Sequence, residues 1–378
     1  MKKIYLDHAA TTFIYDEVIQ AMTDAMKEQI GNPSSVHSFG QEAKASIENA
    51  RKSIAKLINA HSSEIIFTSC GTESNNLIIR SSIDNLGIKR IVTSALEHKC
   101  VLETTLDMMM NKSIEVQILK NNEKGEFSLE ELETLLKDEK PTLVSIMHAN
   151  NELGNINDII SIGNICHKYN AYYHTDTVQT IGHYPINLNE LPIDFASSSA
   201  HKFHGPKGAG FAYIKKQTKL KAKITGGGQE RNLRSGTENV YGIIGMAKAL
   251  ELSYQNLEQD QNYISDLKQY TINQFKKHFP EVIFNGNSAD LNKSLYTLLN
   301  VFLPFKNDMI GFQLDLKGIA LSQGSACSSG ATKPSIVLQK TKTNEELNQH
   351  SALRISFSHL NTKEEIDYLI TSLLEIAN

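Results

Sequence analysis

The sequence contains few cysteines and no close pair of them. Four cysteines are spread over 378 residues, and no C-x-x-C pair occurs. This spacing argues against a disulfide framework and against a self-contained zinc site. We therefore expect free thiols, no bound metal and a reducing compartment.

The chain also lacks long apolar runs and blocks of one charge. No stretch of about 18 apolar residues occurs, which argues against a transmembrane helix. The N-terminus passes from two lysines directly to Asp7 and His8, without the apolar core of a signal peptide. The formal net charge is −4 and the basic residues are scattered, which argues against nucleic acid as the main ligand. We predict a soluble, cytoplasmic protein with neither a membrane nor a nucleic acid as partner.

Alternating strand and helix patterns extend from about residue 60 to about residue 215. Such alternation predicts an α/β fold in which helices cover both faces of a largely parallel sheet. The length exceeds one typical core. We expect a large domain over residues 16–257, and a smaller α+β domain built from residues 1–15 and 258–378. In such sheets, ligands bind at the carboxyl ends of the strands.

Lys202 follows a run of small residues that predicts a buried strand over residues 195–200. A lysine amine short of solvent loses its proton more readily and becomes a nucleophile toward carbonyls, which permits Schiff-base chemistry. Asp176 ends another predicted strand. A pyridoxal 5'-phosphate site needs both groups, the lysine for the aldehyde and the acid to keep the pyridine nitrogen protonated. The alternative for Lys202 is an ordinary lysine in a turn.

A second indication of a phosphate ester comes from the turn at residues 69–72, which leads from a predicted strand into a helix. Backbone amides at a helix N-terminus form an anion site, here next to Gly71 and the Thr72 hydroxyl. Plain capping of the helix by Ser69 or Thr72 is an equally good explanation of these residues.

Ten segments, taken in order, resemble the pyridoxal phosphate dependent cysteine desulfurases of the NifS/IscS type, within the class V aminotransferase family. They cover residues 5 to about 358. The segments are YLDHAATT, GNPSSVHSFG, TSCGTESNN, EHK, HANNELG, HTDTVQ, SAHKFHGPKG, RSGTEN, GSACSSG and RISFS. The resemblance implies the fold type I of pyridoxal phosphate dependent transferases, with a mostly parallel seven-stranded sheet.

The resemblance also implies a set of cofactor-binding residues. His98 matches the histidine that stacks on the cofactor ring and relays protons, and Asn150 matches the asparagine that bonds the ring oxygen. From the residues alone, a structural histidine and a turn asparagine remain alternatives. The implied cofactor-binding residues are Gly71, Thr72, His98, Asn150, Asp176, Gln179, Ser199, His201 and Lys202.

Four further residues take their roles from the resemblance. Cys327, in the small-residue stretch at 324–334, matches the persulfide-forming cysteine on a mobile loop, and Arg354 matches the anchor of the substrate carboxylate. Asn32, together with Asn150, is expected near the substrate. Thr237 matches a threonine that reaches the cofactor phosphate of the neighbouring subunit, which implies a homodimer. An incidental loop cysteine and a structural ion pair of Arg354 are the alternatives.

The expected reaction is the removal of sulfur from L-cysteine, giving L-alanine and a persulfide on Cys327. Lys202 would remove the Cα proton. The sulfur would then pass to an acceptor protein, either an iron–sulfur scaffold or a tRNA-thiolation enzyme. Another class V enzyme, such as an aminotransferase or a selenocysteine lyase, and a non-enzymatic scaffold are the competing interpretations.

Two residues depart from the family pattern. His8 stands where many relatives have asparagine, and Lys333 stands where an acidic residue is frequent. Neither belongs to the predicted site, although Lys333 lies where a change of charge would influence the choice of acceptor protein.

Overall fold

The computed structural model describes residues 3–323 and 335–377, so Cys327 and Lys333 lie outside the described residues. Within these ranges, no helix combines the length and the apolar character needed to cross a membrane. The strands are β1 (Ile4–Tyr5), β2 (Ile65–Thr68), β3 (Arg90–Ser94), β4 (Glu115–Leu119), β5 (Thr142–Ser145), β6 (Tyr172–Asp176), β7 (Phe195–Ser199), β8 (Gly210–Ile214), β9 (Ile283–Phe284), β10 (Leu298–Leu303), β11 (Ile319–Ala320) and β12 (Ser351–Ser356). The helices are α1 (Asp16–Glu28), α2 (Ser38–Leu57), α3 (Gly71–Asn85), α4 (Lys99–Lys112), α5 (Leu129–Leu136), α6 (Ile159–Lys168), α7 (Gln229–Asn232), α8 (Val240–Gln255), α9 (Leu257–His278), α10 (Ile310–Leu316), α11 (Ile336–Thr341), α12 (Asn344–Gln349) and α13 (Lys363–Ala377).

A seven-stranded sheet forms the centre of the larger part, in the order β2-β8-β7-β6-β5-β3-β4. Strand β8 runs antiparallel to both of its neighbours, and the other pairs are parallel. The predicted α/β fold with a mostly parallel sheet is therefore confirmed. Gly210 is required where β8 begins, because a Cβ there would lie 2.6 Å from the Ser198 carbonyl oxygen and 2.9 Å from Cys70 Cα.

Helices cover both faces of this sheet, as expected for strands that are buried along their whole length. On one face, Ile54 of α2 and Ile162 of α6 belong to the apolar core that contains Val144 of β5. On the other face, Ile78 of α3 and Val101 of α4 pack in a separate core cluster. The strands are thereby held in place, and their carboxyl ends are left to meet at one edge.

A second core lies in the C-terminal part and includes the beginning of the chain. A three-stranded antiparallel sheet, in the order β12-β10-β9, packs with α9, α10 and α13. Ile4 and Leu6 are buried in the same cluster, because β1 pairs with β11 and Asp7 bridges to Ser356. The limits of the two domains, placed after residues 15 and 257, remain a prediction.

One local expectation needs correction. Ser128 and Glu131 predict a reciprocal capping box at the start of α5, yet only half of it forms. The Ser128 hydroxyl accepts the Glu131 N–H at 3.2 Å, whereas the Glu131 carboxylate accepts the N–H of Lys120 at 3.3 Å. The carboxylate is used to join α5 to the end of β4, which the sequence pattern does not reveal.

The glycine-rich segment 224–239 is fastened to the sheet by a buried ion pair. Arg51 donates two hydrogen bonds of 2.7 Å to Glu230, and the Glu230 carboxylate also accepts the Phe67 N–H at 2.7 Å. Arg234 donates to Glu73 of α3 at 2.8 Å. The segment is therefore tied to β2 and α3, beside the edge where the strands end.

Candidate active site

A cleft lies at the carboxyl edge of the seven-stranded sheet. It encloses about 1230 Å³, including space open to solvent. The exits of β2, β3, β5, β6 and β7 all contribute to its wall. The structure brings nine of the predicted residues together there: Gly71, Thr72, His98, Asp176, Gln179, Ser199, His201, Lys202 and Arg354.

The amine of Lys202 lies against the N-terminal loop. A single 3₁₀ turn, Ala200–Lys202, follows β7 and carries the lysine into the cleft. Its Nζ donates to the carbonyl oxygens of Ala9 at 2.5 Å and Ala10 at 2.9 Å. The His183 ring donates from Nε2 to the Lys202 carbonyl at 2.9 Å. Hydrogen bonds thus position both the side-chain amine and the backbone carbonyl of Lys202.

A chain of buried hydrogen bonds orients the Asp176 carboxylate. The Ser145 hydroxyl lies 2.8 Å from His174 Nδ1, and His174 Nε2 lies 3.1 Å from Asn75 Oδ1. Asn75 then donates from Nδ2 to the Asp176 carboxylate at 2.7 Å. Burial lowers the pKa of His174 to about 4, so the ring is neutral and relays orientation without charge. The second carboxylate oxygen accepts the Val178 N–H at 2.9 Å.

The start of α3 forms the opposite side of the cleft. A Cβ on Gly71 would lie 2.6 Å from Val178 Cγ2, so the helix approaches closely only because this residue is glycine. The N-cap is Cys70, which makes no side-chain capping bond, and the Ser69 N–H donates to Glu73 at 2.8 Å. The capping alternative for Ser69 and Thr72 is therefore wrong. The buried Ser199 hydroxyl has no partner among the described residues.

His98 is held at the start of α4, with a buried glutamate beside it. Its Nδ1 accepts the Cys100 N–H at 3.2 Å, which fixes the ring plane. The Glu97 carboxylate accepts the Met147 N–H at 3.0 Å and the Ser94 hydroxyl at 2.9 Å. Burial raises the pKa of Glu97 to about 8, and the negative charge of Asp176 adds to this.

Two more predicted residues join the cleft to the N-terminal loop. His201 Nδ1 lies 3.2 Å from the Thr11 hydroxyl, and Gln179 donates from Nε2 to the Ala9 carbonyl at 3.2 Å. Burial lowers the pKa of His201 to about 4, with the positive charge of Lys202 adding to this. A neutral His201 therefore stands next to the lysine.

Arg354 lines the cleft and is also paired within the protein. Its guanidinium donates to Asp7 at 2.8 Å, to the Ser322 hydroxyl at 3.1 Å and to the Asn151 carbonyl at 3.0 Å. The side chain is 1% exposed. The ion pair that we considered as the structural alternative is present, and Arg354 nevertheless faces the cleft.

Asn150 is not among the residues that line the cleft, in contrast to the prediction for it. It donates from Nδ2 to the Leu96 carbonyl at 2.8 Å, and its Oδ1 accepts the N–H groups of Glu152 and Leu153 at 2.9 and 2.8 Å. The side chain is therefore used to form the turn. The next residue, Asn151, lines the cleft instead.

Three predicted residues cannot be assigned to this cleft. Asn32 and Thr237 are exposed and lie outside its wall, and Asn32 Oδ1 accepts the Ser34 N–H at 2.9 Å within its own turn. Cys327 lies outside the described residues. Its role therefore stays a prediction from the sequence.

Sequence reasoning missed four residues at the site. All four line the cleft: Asn75, Glu97, Asn151 and Glu152. Asn75 also donates to Asp176, and Glu97 accepts the Met147 N–H. Asn75 is a fully buried polar residue inside a helix, and Glu97 directly precedes the predicted ring-stacking histidine. Both positions could have been noticed in the sequence, because a polar side chain at a position expected to be buried needs a hydrogen-bond partner.

The residues present fit pyridoxal 5'-phosphate. The cleft offers a lysine amine for an aldehyde, a carboxylate for a pyridine nitrogen, and an unpartnered Ser199 hydroxyl next to a helix N-terminus for a phosphate. Among residues 3–323 and 335–377, no three histidine, cysteine or acidic side chains are grouped so as to hold a metal ion.

Comparison with known proteins agrees with this chemistry. The family model "Aminotransferase class-V" matches residues 4–369. The chain belongs to the class V aminotransferase family. Members of this family are pyridoxal phosphate enzymes, so the cofactor expected from the sequence is confirmed at this level.

Similar proteins place this chain in one branch of the class V family. The chain is 42% identical over 377 residues to the cysteine desulfurase IscS of Dictyoglomus turgidum, covering 99% of this chain and 94% of that protein. A solved NifS-like protein has a TM-score of 0.91 at 37% identity, covering 100% of this chain and 99% of that one. A structure of SspA in complex with cysteine has a TM-score of 0.78 at 31% identity, covering 94% and 99%. The resemblance to the NifS/IscS type is confirmed.

Proposed function

We propose that the protein is a pyridoxal phosphate dependent cysteine desulfurase, which removes sulfur from L-cysteine and gives L-alanine and a persulfide on Cys327. The observation that supports this most directly is the meeting of Lys202, Asp176 and Arg354 in one cleft. An amino-acid substrate needs an amine-exchanging lysine, an acid for the cofactor ring and a cation for its carboxylate. The name of the IscS relative and the cysteine complex of SspA are consistent with this substrate.

Five residues of the cleft have a task in the proposed reaction. When bound, pyridoxal phosphate withdraws electrons from the Cα of an amino acid joined to its aldehyde. Asp176 would hold the ring nitrogen protonated, Thr72 and Ser199 would bind the phosphate, and Lys202 would take the proton from Cα. Arg354 would bind the substrate carboxylate and orient it.

Sulfur transfer is assigned to Cys327 and His98. The Cys327 thiolate attacks the substrate sulfur, the bond between sulfur and Cβ breaks, and its electron pair passes to carbon. Protonation of that carbon gives L-alanine, and His98 is placed at the cleft to relay the protons. The sulfur stays on the enzyme as a persulfide until an acceptor takes it.

Substitution of the thiol tests this assignment. Purified Cys327→Ala should lose L-cysteine-dependent sulfide and alanine release, and it should keep the visible absorbance of the bound cofactor. The exposed Glu281→Gln is a control that should turn over as wild type. Retained desulfurase turnover in Cys327→Ala would refute the thiol mechanism, and formation of a keto acid from L-cysteine would favour the aminotransferase alternative.

A homodimer with shared sites is the second part of the proposal. Thr237 is exposed and lies outside the cleft of its own chain, within the segment that Glu230 fastens to β2. We expect it to bind the cofactor phosphate of the partner subunit. Mixing Lys202→Ala with Thr237→Ala subunits should produce hybrid dimers with one intact site and should restore activity. No restoration, or a monomer by light scattering, would contradict this.

The persulfide sulfur would pass to an acceptor protein in the cytoplasm, for iron–sulfur cluster assembly or for tRNA thiolation. A persulfide on a cysteine within a sequence of small residues suits transfer to a protein acceptor. Incubation with radiolabelled L-[35S]cysteine should label wild type and not Cys327→Ala, and the label should move to the acceptor on mixing.

A further inference from the structure

Glu152 lies in the turn after β5 with its main chain held on both sides. Its N–H donates to Asn150 Oδ1 at 2.9 Å, and its carbonyl accepts the Asn300 amide at 2.8 Å. The residue is 5% exposed and belongs to the wall of the cleft. The backbone of Glu152 is therefore fixed by the protein before any ligand arrives.

One oxygen of the Glu152 carboxyl is left without a partner. Oε2 is fully buried and has no hydrogen-bond partner among the described residues. Unsatisfied buried oxygens are rare in native proteins because each one costs its lost hydration. An acceptor of this kind in the wall of a substrate cleft is a group prepared for a donor on the substrate.

Arg354 does not neutralise this oxygen through an ion pair. Its two terminal nitrogens are used by Asp7, Ser322 and Asn151. Burial raises the pKa of Glu152, and a hydrogen bond with Ser335 and the charges of Arg354 and His98 offset only part of that rise. Glu152 thus lies close enough to Arg354 to feel its charge, while Oε2, buried in the cleft wall, has no hydrogen-bond partner among the described residues.

The wall around Glu152 is apolar on one side. Ile336 and Val337 of α11 line the same cleft. Electrostatic interactions are stronger next to apolar walls than in water. A second negative charge placed near Glu152 would therefore be disfavoured, whereas a neutral O–H or S–H group could donate a hydrogen bond to the unpartnered oxygen.

We propose that Glu152 sets the substrate selectivity of the cleft, by admitting an amino acid whose side chain ends in a neutral hydrogen-bond donor and rejecting one whose side chain is anionic. This rests on the proposed function, since Arg354 must hold the carboxylate of the amino acid. Glu152 is a specificity-determining residue in this scheme, and the chemistry at Cα does not need it.

Calorimetric titration of the holoenzyme with two amino acids that lack a thiol tests this. L-Serine carries a neutral hydroxyl where L-cysteine has its thiol, and L-aspartate carries a carboxylate. Glu152→Gln keeps the shape and removes the negative charge. We expect it to tighten L-aspartate binding by about tenfold or more, since each tenfold corresponds to about 1.4 kcal/mol, and to change L-serine binding by less than about threefold. Glu281→Gln, which removes a charge from an exposed position, should change neither.

The outcomes separate the possible roles of Glu152. Equal changes for both ligands, or no change for either, would overturn the proposal, because a merely structural residue does not discriminate by charge. Glu152→Met, of similar volume, replaces the glutamine variant if that variant melts early, and it should also remove the discrimination against L-aspartate. A wild-type holoenzyme that releases neither sulfide nor alanine from L-cysteine would refute the proposed function itself.

Discussion

Two cavities lie on either side of the Lys202 turn, and they differ in how their polar groups are used. The cleft at the sheet edge carries charges of both signs and unpartnered oxygens on Ser199 and Glu152. The second cavity encloses about 500 Å³ between the two cores and is lined by four histidines: His8, His183, His204 and His359. Ala9, Gln179 and Lys202 line both.

Two histidines of the second cavity, His8 and His204, are buried and bonded to other groups of the protein. His204 stacks on Tyr15 with ring centroids 4.3 Å apart, and its Nδ1 donates to the Phe13 carbonyl at 2.8 Å. His8 Nε2 lies 3.1 Å from the Ser358 hydroxyl. Burial lowers the pKa of His204 to about 3 and that of His8 to about 4, so both rings are neutral.

The difference between the two cavities indicates that the Lys202 turn contributes to ligand binding on one side and to packing of the two cores on the other. On the cleft side, groups are left unsatisfied and await a ligand, which costs stability. On the other side, the neutral rings of His8 and His204 pack where the two cores meet, and His183 holds the backbone of Lys202 through its carbonyl. The contrast suggests that substitutions in the cleft will change binding, and that substitutions in the histidine cavity will change stability.

The largest effect is expected at Arg354. Arg354→Lys keeps a positive charge but loses the planar two-pronged contact with a carboxylate. Hydrogen bonds to charged groups contribute about 1.5–3 kcal/mol, so we expect the KM for L-cysteine to rise by about 10- to 100-fold, with a smaller change in kcat. Steady-state kinetics with a thermal melt measures both. An unchanged KM would mean that the ion pair with Asp7 is the only role of Arg354.

The two neighbouring asparagines, Asn150 and Asn151, should show the same contrast between an effect on stability and an effect on binding. Asn150→Ala would leave the buried N–H groups of Glu152 and Leu153 without an acceptor, which costs about 1–3 kcal/mol in the free energy of unfolding. Asn151→Ala should change stability little and should weaken cofactor binding. Urea unfolding and cofactor titration of the two variants measure this. The reverse pattern would restore Asn150 as the cofactor ligand.

A smaller, pH-dependent effect is expected at His8. Because its pKa is about 4 in the folded protein and about 6.5 in the unfolded chain, the unfolded chain binds the proton first as the pH falls. The stabilising contribution is complete above pH 6.5 and is lost between pH 6.5 and about 4. At pH 5.5 the loss is about 1.4 kcal/mol relative to neutral pH.

His8→Asn removes this proton uptake. Between pH 7.5 and pH 5.5 it should therefore lose about 1.4 kcal/mol less stability than wild type in urea unfolding. His61→Asn, at an exposed helix N-cap where asparagine is also favoured, is the matched control and should follow wild type. Equal pH dependence of wild type and His8→Asn would show that His8 is not buried in its neutral form.

Much of the cleft was predictable because strand exits can be read from the sequence. Small apolar runs end at Ser199 and at Asp176, and parallel strands bring such ends together at one edge. The direction of a turn side chain cannot be read in this way. Asn150 and Asn151 are adjacent asparagines, and only the turn geometry decides that the first bonds the backbone and the second faces the cleft.

Contacts between residues that are far apart in the sequence could not be predicted either. Asp7 and Arg354 are 347 residues apart and pair only because β1 joins the C-terminal core. Oε2 of Glu152 is left without an ion pair because the terminal nitrogens of Arg354 bond to Asp7, Ser322 and Asn151. Local pattern thus predicts which residues approach the site, and the packing of distant segments decides which of their atoms remain available.

The proposed function requires that Lys202 is the lysine that binds the cofactor. Borohydride reduction of the holoenzyme fixes pyridoxal phosphate to that lysine, and peptide mass spectrometry then identifies it. We predict that the added mass is found on the peptide containing Lys202, and that Lys202→Ala carries none. A reduced cofactor on a different lysine, or none on wild type, would contradict the role of Lys202.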